Sequence, residues 1–191
     1  MKRKYRITVG FKKFLREMLP VLAGVFLALI LNNWQQNRQD RKFLQKTLAS
    51  IAQEVKDNRK ELKEKIQERE ELLSSLKTQA AVDSISLEQI VREAGGIKFA
   101  YIKNSGWKAL LNRNITLTEY EVISCLTEID AGKELMQRQA DLLGEVFYDS
   151  YETPSEINKA KAWAILNDIY YCEVNLLDSH EEFLKLMRQK E

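Results

Sequence analysis

Hydrophobic residues form one uninterrupted run near the N-terminus and a spaced stripe after it. From Met18 to Leu31 there are fourteen residues without a charge or a hydrogen-bonding side chain. A bilayer core about 30 Å thick needs about 20 helical residues, and the run reaches that length if the helix extends from Phe14 to Trp34. Residues 14–34 are therefore predicted to form a transmembrane helix.

Charged and aromatic residues flank this run as they do at membrane surfaces. The long side chains of Lys12, Lys13 and Arg16 precede it and can reach the head-group layer, while Trp34 lies at the opposite interface. These four residues are the predicted interface anchors.

Two other interpretations of the run compete with a transmembrane helix. A cleaved signal peptide also has a charged start and a short apolar region, but Leu29 to Trp34 offers no small-x-small cleavage site. A buried core helix would often have this length, but residues 1–17 carry seven Lys and Arg against one acid, Glu17. The pattern therefore favours an uncleaved signal anchor.

Basic residues are also more numerous before the span than after it. The stretch just after Trp34 contains only four basic residues: Arg38, Arg41, Lys42 and Lys46. The positive-inside rule then keeps the N-terminus in the cytoplasm and sends the rest across. The predicted division is a basic tail at 1–13, a signal anchor at 14–34 and an extracytoplasmic helical bundle domain at 35–191.

The span is predicted to continue into a long helix, from Phe14 to about Thr78. No Gly or Pro occurs between Trp34 and Gly95, and apolar residues recur at helical spacing: Leu44, Leu48, Ile51, Val55, Leu62, Ile66, Leu72 and Leu76. Asn58, Lys65 and Arg69 fall where a coiled-coil seam needs apolar groups. We therefore expect a helix that packs on its own chain near both ends and is partly solvated between, in preference to a self-sufficient coiled coil.

Capping signals divide the rest of the chain into helices. Ser86 with Gln89 forms a capping box, and Gly95-Gly96 stops the short helix that follows. Residues 97–102 (IKFAYI) are predicted to be an extended or short helical connection, because a lone strand has no partner. Another short helix starts at Ser105-Gly106.

Two long helices follow, and a turn at 152–153 folds them into an antiparallel hairpin. Thr118 with Glu121 opens the first helix, and Thr153-Pro154-Ser155-Glu156 opens the second, with Thr153 as the N-cap. The apolar stripe of the second helix is Ile165, Ile169, Cys172, Leu176, His180, Phe183 and Met187. The predicted fold is all-α, with one transmembrane helix, its long continuation and a hairpin that forms a bundle.

Composition and charge exclude several classes of function. The chain has only 7 Gly and 2 Pro, which disfavours a turn-rich β fold. Beyond residue 17 there are 23 basic and 27 acidic residues, so a basic surface for nucleic acid is not expected. No phosphate-binding loop, nucleophile elbow or zinc-protease motif occurs. We therefore predict no catalytic residues, no metal site and no cofactor.

The two cysteines and the single histidine carry little chemistry at the predicted register. The hairpin places Cys125 opposite His180, so Cys125 and Cys172 are offset by about 12 Å along the axis, too far for a disulfide. Both are predicted to be small buried hydrophobes. Glu128 and Asp178 could lie near the Cys125–His180 pair, but such pairings arise by chance in any charged bundle.

Two surfaces are candidates for contacts with partners. Gly24 and Ala28 form a small-xxx-small pair that lets helices approach, and Asn32 and Asn33 could bond across a helix pair. The aromatic residues near the hairpin turn form the candidate partner surface outside the membrane: Phe147, Tyr148, Tyr151 and Trp163.

Part of the chain resembles a known family. Glu17, the apolar run containing Gly24, Asn33-Trp34 and Arg38 are similar to small single-pass membrane proteins of Bacteroidetes-type bacteria that carry a domain of unknown function. Trp107-Lys108-Ala109-Leu110-Leu111 resembles the middle region of that family. The resemblance is close over residues 14–40 and loose elsewhere, and it implies a single-pass membrane protein with a helical domain and no assigned activity. With the orientation predicted from the charges, the expected location is the bacterial inner membrane, with the N-terminus in the cytoplasm and the helical domain in the periplasm.

The leading functional hypothesis is a non-enzymatic subunit or scaffold of a bacterial envelope complex, acting through helix–helix contacts with a protein partner or a second copy. The alternative is a periplasmic sensor that binds a small ligand between helices, although few residues then remain inside for output. A membrane-tethered enzyme ranks third, because no catalytic constellation is present.

Overall fold

The computed structural model describes residues 5–80, 82, 84–113, 115–150 and 154–189, with only the main chain described for 5–13, 15, 149 and 150. The helices in chain order are α1 (Tyr5–Gln79), α2 (Leu87–Glu93), α3 (Ser105–Arg113), α4 (Tyr120–Ser150) and α5 (Glu156–Arg188), with a 3₁₀ turn at Ile115–Leu117 between α3 and α4. No strand occurs in these residues. The all-α prediction is therefore confirmed.

The chain divides into two compact units, Met1–Gln45 (unit 1) and Lys46–Glu191 (unit 2). Unit 1 contains the first part of α1, and unit 2 contains the remainder of α1 with all the other helices. The helix begins at Tyr5 and not at the predicted Phe14, since no proline interrupts the residues between them. Pro20 lies inside α1.

Unit 2 is built around the antiparallel hairpin of α4 and α5, as predicted. The close approach of the two helices is made at Gly132, where an added Cβ would meet the Leu176 side chain at 2.8 Å. The core consists of apolar side chains from all five helices, among them Leu62, Leu76, Ile90, Leu110, Leu126, Leu166, Ile169 and Phe183. Each such Leu or Phe contributes about 1.5–3 kcal/mol by leaving water.

The stop signal of α2 acts as predicted, and the predicted capping box is half formed, because the Gln89 side chain donates to Glu93 and not back to Ser86. The Ser86 side chain accepts a hydrogen bond from the main-chain N–H of Gln89. Gly95 and Gly96 both have positive φ, which ends the helix at almost no steric cost. Residues 97–104 then run without regular secondary structure, which confirms the extended connection; we call them the connecting segment.

The predicted N-cap of the last helix is wrong by two residues. Ser155, in an extended conformation, is the N-cap and accepts from the N–H of Asn158. Pro154 therefore precedes the cap, and α5 begins at Glu156. The predicted cap Thr153 lies outside the described residues.

Candidate functional site

The apolar run of α1 is exposed along its whole length. An 18-residue stretch of this helix is long enough and apolar enough to cross a membrane, and none of that stretch is buried. The exposed side chains are Phe14, Met18, Leu19, Val21, Leu22, Val25, Phe26, Leu27, Leu29, Ile30, Leu31 and Trp34. A soluble protein rarely leaves so large an apolar surface without a partner.

The predicted anchors are only partly described. Arg16 and Trp34 are exposed, and the guanidinium carbon of Arg38 lies 5.5 Å from the centroid of the Trp34 ring, a cation–π contact. The side chains of Lys12 and Lys13 lie outside the described residues.

The predicted packing face of α1 is open. A Cβ added at Gly24 would have no neighbour within 4 Å, and Ala28, Asn32 and Asn33 are exposed. Contacts of this face with another helix stay a prediction.

A buried ion pair joins α1 to α5 in unit 2. The Arg69 Nη2 donates to Glu173 Oε1 at 2.9 Å, and the Arg69 Nε donates to Oε2 at 3.3 Å. Neither side chain is accessible to a meaningful extent, at 2% and 0%. Burial raises the pKa of the Glu173 carboxyl above its ordinary value, and the hydrogen bonds from Arg69 oppose that shift.

The same guanidinium holds the connecting segment. Arg69 Nη2 also donates to the main-chain oxygen of Lys98 at 2.8 Å, and its guanidinium carbon lies 5.2 Å from the centroid of the Phe99 ring. One buried cation therefore organises three parts of the chain: α1, α5 and the connecting segment.

Asn58 fastens the other end of the connecting segment to α1. Its amide nitrogen donates to the main-chain oxygen of Lys103 at 2.8 Å, and its amide oxygen accepts from the Lys103 N–H at 2.9 Å. The Lys103 ammonium lies 2.9 Å from Asp57, and this hydrogen bond holds the pKa of the Asp57 carboxyl below its usual range. The Asn58 amide therefore makes the two main-chain hydrogen bonds to Lys103 that a neighbouring strand would otherwise make.

A carboxylate caps the start of α3. Glu54 accepts from the Ser105 hydroxyl and from the Gly106 N–H, which stabilises the N-terminus of the helix. Gly106 is required by the packing, because an added Cβ would lie 2.6 Å from Cγ1 of Ile51.

The middle of α1 is partly solvated, as predicted, since Lys60, Lys63 and Glu64 are exposed. Asn58 and Arg69 are nevertheless buried, because other parts of unit 2 supply hydrogen-bond partners for them.

Lys159 of α5 stabilises the C-terminal end of α1. Its buried ammonium donates to the main-chain oxygens of Gln79, Ala80 and Val82 at 3.2, 3.3 and 2.7 Å. A helix leaves its last carbonyl groups without partners, and a cation there also suits the helix dipole. This contact is a tertiary C-cap.

His180 is buried in unit 2. Its Nδ1 lies 2.6 Å from the main-chain oxygen of Leu176, and its Nε2 has no hydrogen-bond partner in the described part of the chain. Burial lowers the pKa of the imidazole, so the ring is neutral near pH 7. This arrangement matches a core histidine.

Both cysteines are free thiols, as predicted. Cys125 is buried, but Cys172 is half-buried, so the prediction of two buried residues holds for only one. Burial raises the pKa of the Cys125 thiol, and the negative charges of Glu182 and Glu128 add to the shift. Such a thiol is a poor nucleophile. Among the described residues no cluster of three or more His, Cys, Asp or Glu could hold a metal.

A groove of about 400 Å³ opens beside Cys125. It lies between the start of α4 and the end of α5 and is lined by Tyr120, Glu121, Ser124, Cys125, Glu128, Glu182, Lys185, Leu186 and Gln189. The volume is within the range of small-molecule sites. Its lining mixes three carboxylates with one ammonium and does not assemble a nucleophile with a base.

The candidate partner surface is only partly exposed. Tyr148 has 93% of its surface exposed, whereas Phe147 and Trp163 are half-buried. Tyr151 lies outside the described residues. Among the three described members of the set, Tyr148 is the most exposed.

No family model, curated protein or solved structure matches this chain. The resemblance of residues 14–40 to a family of small bacterial membrane proteins therefore stays a prediction.

Proposed function

We propose that this chain is a non-enzymatic, membrane-anchored subunit or scaffold of a bacterial envelope complex. In this proposal residues 14–34 span the inner membrane, the N-terminus lies in the cytoplasm and the helical bundle lies in the periplasm. The chain acts through helix–helix contacts with a protein partner or a second copy of itself.

One observation carries the proposal: an 18-residue apolar stretch of α1 of which nothing is buried. Each exposed Leu, Val or Phe in water costs about 1.5–3 kcal/mol relative to an apolar environment. Lipid removes that cost for every face of the helix at once, which a single protein contact does not.

Two further features support a scaffold over an enzyme. The buried polar side chains Asn58, Arg69 and Lys159 make hydrogen bonds to the main chain of neighbouring elements, so they stabilise the bundle. The open face of Gly24 and Ala28 in the span suits a second helix, because small residues let helices approach closely in lipid.

Carbonate extraction of membranes from cells that express the full chain tests the anchor. The protein should remain in the pellet, and Val25→Arg with Leu29→Arg should release it, since each arginine costs about 2.5–3.5 kcal/mol at the centre of a span. Ala49→Arg with Ser50→Arg, a pair of exposed α1 residues outside the span, is the matched control. Release of the unsubstituted chain would refute the anchor.

Crosslinking in membranes, followed by purification, tests the scaffold. A stoichiometric complex that Gly24→Leu weakens would support it, whereas a clean monomer at all crosslinker levels would contradict it.

A phosphatase fused to the C-terminus tests the orientation. The fusion should be active, because that enzyme works only outside the cytoplasm; an inactive fusion would contradict the proposed orientation.

The alternative of a ligand-binding sensor rests on the groove beside Cys125. Thermal unfolding of the full chain with a panel of small cationic and neutral solutes tests it. A solute whose stabilising effect disappears in Glu182→Gln would favour the sensor.

A further inference from the structure

The first helical turns after the apolar run carry basic side chains. Arg38, Arg41 and Lys42 follow Trp34 on α1, and all four side chains are exposed. They come four, seven and eight positions after Trp34, so they share one face of the helix with that ring. We call Trp34, Arg38, Arg41 and Lys42 the basic face. All four residues belong to unit 1, so the geometry of a single helix defines this surface.

The nearest acid points away from the basic face. Asp40 is the only acid between Trp34 and Gln53. It is two positions from both Arg38 and Lys42, and residues at that spacing do not face each other on a helix. The basic face therefore concentrates three positive charges within about 6 Å along the helix axis.

The basic side chains are directed back toward the apolar run. The guanidinium carbon of Arg38 lies 5.5 Å from the centroid of the Trp34 ring, one turn nearer the N-terminus. Every Cα–Cβ bond of an α-helix is tilted in that direction, so the side chains of Arg41 and Lys42 start out the same way. The charged ends of all three thus lie closer to the apolar run than their Cα atoms do.

In the proposed span this direction brings the charges to the lipid head groups. Trp34 lies at the interface, and the head-group layer is about 5–7 Å deep on each side of the hydrocarbon core. Arg38 is about 6 Å along the helix from Trp34, and Arg41 and Lys42 are about 10 and 12 Å along it. The guanidinium of Arg38 against the Trp34 ring therefore falls within the layer, and the long stems of the other two bring their charges toward it.

We infer that the basic face binds the phosphate of an anionic phospholipid at the C-terminal end of the span. This inference rests on the proposed membrane span. The guanidinium groups of Arg38 and Arg41 can each bind two phosphate oxygens, and Lys42 adds a third positive charge. A zwitterionic head group also carries a phosphate, but its own cation competes for that phosphate. Three neighbouring positive charges therefore favour a lipid with a net negative charge, and the end of the span gains a lipid preference in addition to its anchoring role.

Photo-crosslinking of the full chain tests this site, in lipid nanodiscs of equal parts phosphatidylcholine and phosphatidylglycerol. Benzoylphenylalanine replaces Gln35 or Gln36, which are both exposed and differ by only about 1.5 Å in depth. Gln35 is three positions before Arg38 and seven before Lys42, so it lies beside the basic face. Gln36 is four positions before Asp40 and lies on another side of the helix. The mass of the intact protein identifies the lipid that each probe has captured.

The ratio of phosphatidylglycerol to phosphatidylcholine adducts should be higher at Gln35 than at Gln36. One basic residue near an anionic surface is worth about fivefold in binding, so a difference of about fivefold or more is expected. Replacing Arg38, Arg41 and Lys42 together by Gln should abolish the difference. The matched control replaces three exposed lysines of unit 2 by Gln, which changes the net charge equally and should preserve the difference: Lys56, Lys108 and Lys161.

The outcomes separate this site from the span on which it rests. If neither probe captures lipid, the span is wrong, and with it the proposed function. If both probes capture lipid in the same ratio, or if the difference survives in the variant without Arg38, Arg41 and Lys42, the lipid site is overturned and the span stands. Capture of protein alone at Gln35, with lipid captured at Gln36, would also overturn the lipid site.

Discussion

The buried pair of Arg69 and Glu173 gives the sharpest test of the fold. In Glu173→Gln the side chain keeps its shape but loses its charge, so the guanidinium stays buried without a counter-ion. Within the described part of the chain, no replacement acid lies at hydrogen-bonding distance from this guanidinium: its other hydrogen bond goes to the main-chain oxygen of Lys98.

The expected cost is large because both partners are inaccessible. Removing one partner of a buried pair destabilises a protein by about 3–5 kcal/mol, and the retained amide suggests the lower end, about 3 kcal/mol. Replacing both partners together, as Arg69→Met with Glu173→Leu, should cost far less than either single change, because no charge is then left buried.

The same two helices supply a matched control. Lys63 and Glu181 also join α1 to α5, at 3.1 Å, but their side chains are 53% and 46% exposed. A pair of that kind contributes about 0–1 kcal/mol, so Glu181→Gln should be nearly silent. The comparison holds the helix pair and the charges constant and varies burial.

Urea unfolding of the full chain in detergent micelles, followed by far-ultraviolet circular dichroism, measures these differences. The midpoint should fall strongly for Glu173→Gln and hardly for Glu181→Gln. Equal small losses in the two variants would refute the reasoning, because they would mean that the pair of Arg69 and Glu173 is solvated.

The loss of folding stability in Arg69→Met should depend on pH. The pKa of Glu173 is already raised by burial, and removal of Arg69 raises it further. A raised folded pKa gives stability that is present below the ordinary value near 4.5 and lost as pH rises through the folded pKa. Arg69→Met should therefore be less destabilising at pH 5 than at pH 8.

Three further predictions concern other contacts of unit 2. Gly106→Ala should destabilise the protein by about 1–3 kcal/mol through the clash with α1, whereas Gly144→Ala, with open space around it, should stabilise it by up to about 1 kcal/mol. Lys159→Met should fray the end of α1 and speed amide exchange there, while Lys161→Met should not. Because burial lowers the folded pKa of His180, stability is present above its ordinary value of about 6.5 and lost as pH falls; His180→Leu should flatten that loss between pH 7 and 5.

Each of these has an outcome that would contradict it. Equal melting temperatures for the two glycine variants would show that a side chain at position 106 does not clash with α1. Unchanged amide exchange at residues 76–79 in Lys159→Met would show that Lys159 does not cap α1. A pH profile in His180→Leu as steep as that of the unsubstituted chain would assign the acid sensitivity to other groups, since the comparison cancels every group common to both proteins.

Sequence patterns predicted those parts of the fold that depend on neighbouring residues. Ser86 with Gln89 and the pair Gly95-Gly96 act within one or two turns, so their chemistry is visible in the chain itself. The antiparallel hairpin of α4 and α5 could also be predicted, because one short turn joins two long helices. The N-cap was predicted at Thr153 because proline is favoured at the first helical position. Serine is also a good capping residue, and the extended backbone at Ser155 makes that residue the cap.

The polar contacts inside unit 2 could not be predicted, because they join residues far apart in sequence. Arg69 and Glu173 are 104 residues apart, and their pairing depends on the register between two helices. A partial signal existed: Lys159 and Glu173 continue the three- and four-residue spacing of Leu166, Ile169 and Leu176. A polar residue at such a position is buried only if a neighbouring element offers it a hydrogen-bonding partner, and the spacing along one helix does not show whether such a partner exists.

The cap on α1 by Lys159 has a consequence for the time course of synthesis. The three carbonyl groups that it binds belong to residues made 77 to 80 positions earlier. At about 5–20 residues per second, a ribosome adds Lys159 roughly 4–16 s after those groups. During that interval Arg69 also lacks its counter-ion Glu173, so α1 lacks these contacts until the last helix has been made. Chains interrupted before α5 are thus the forms most exposed to chaperones and proteases.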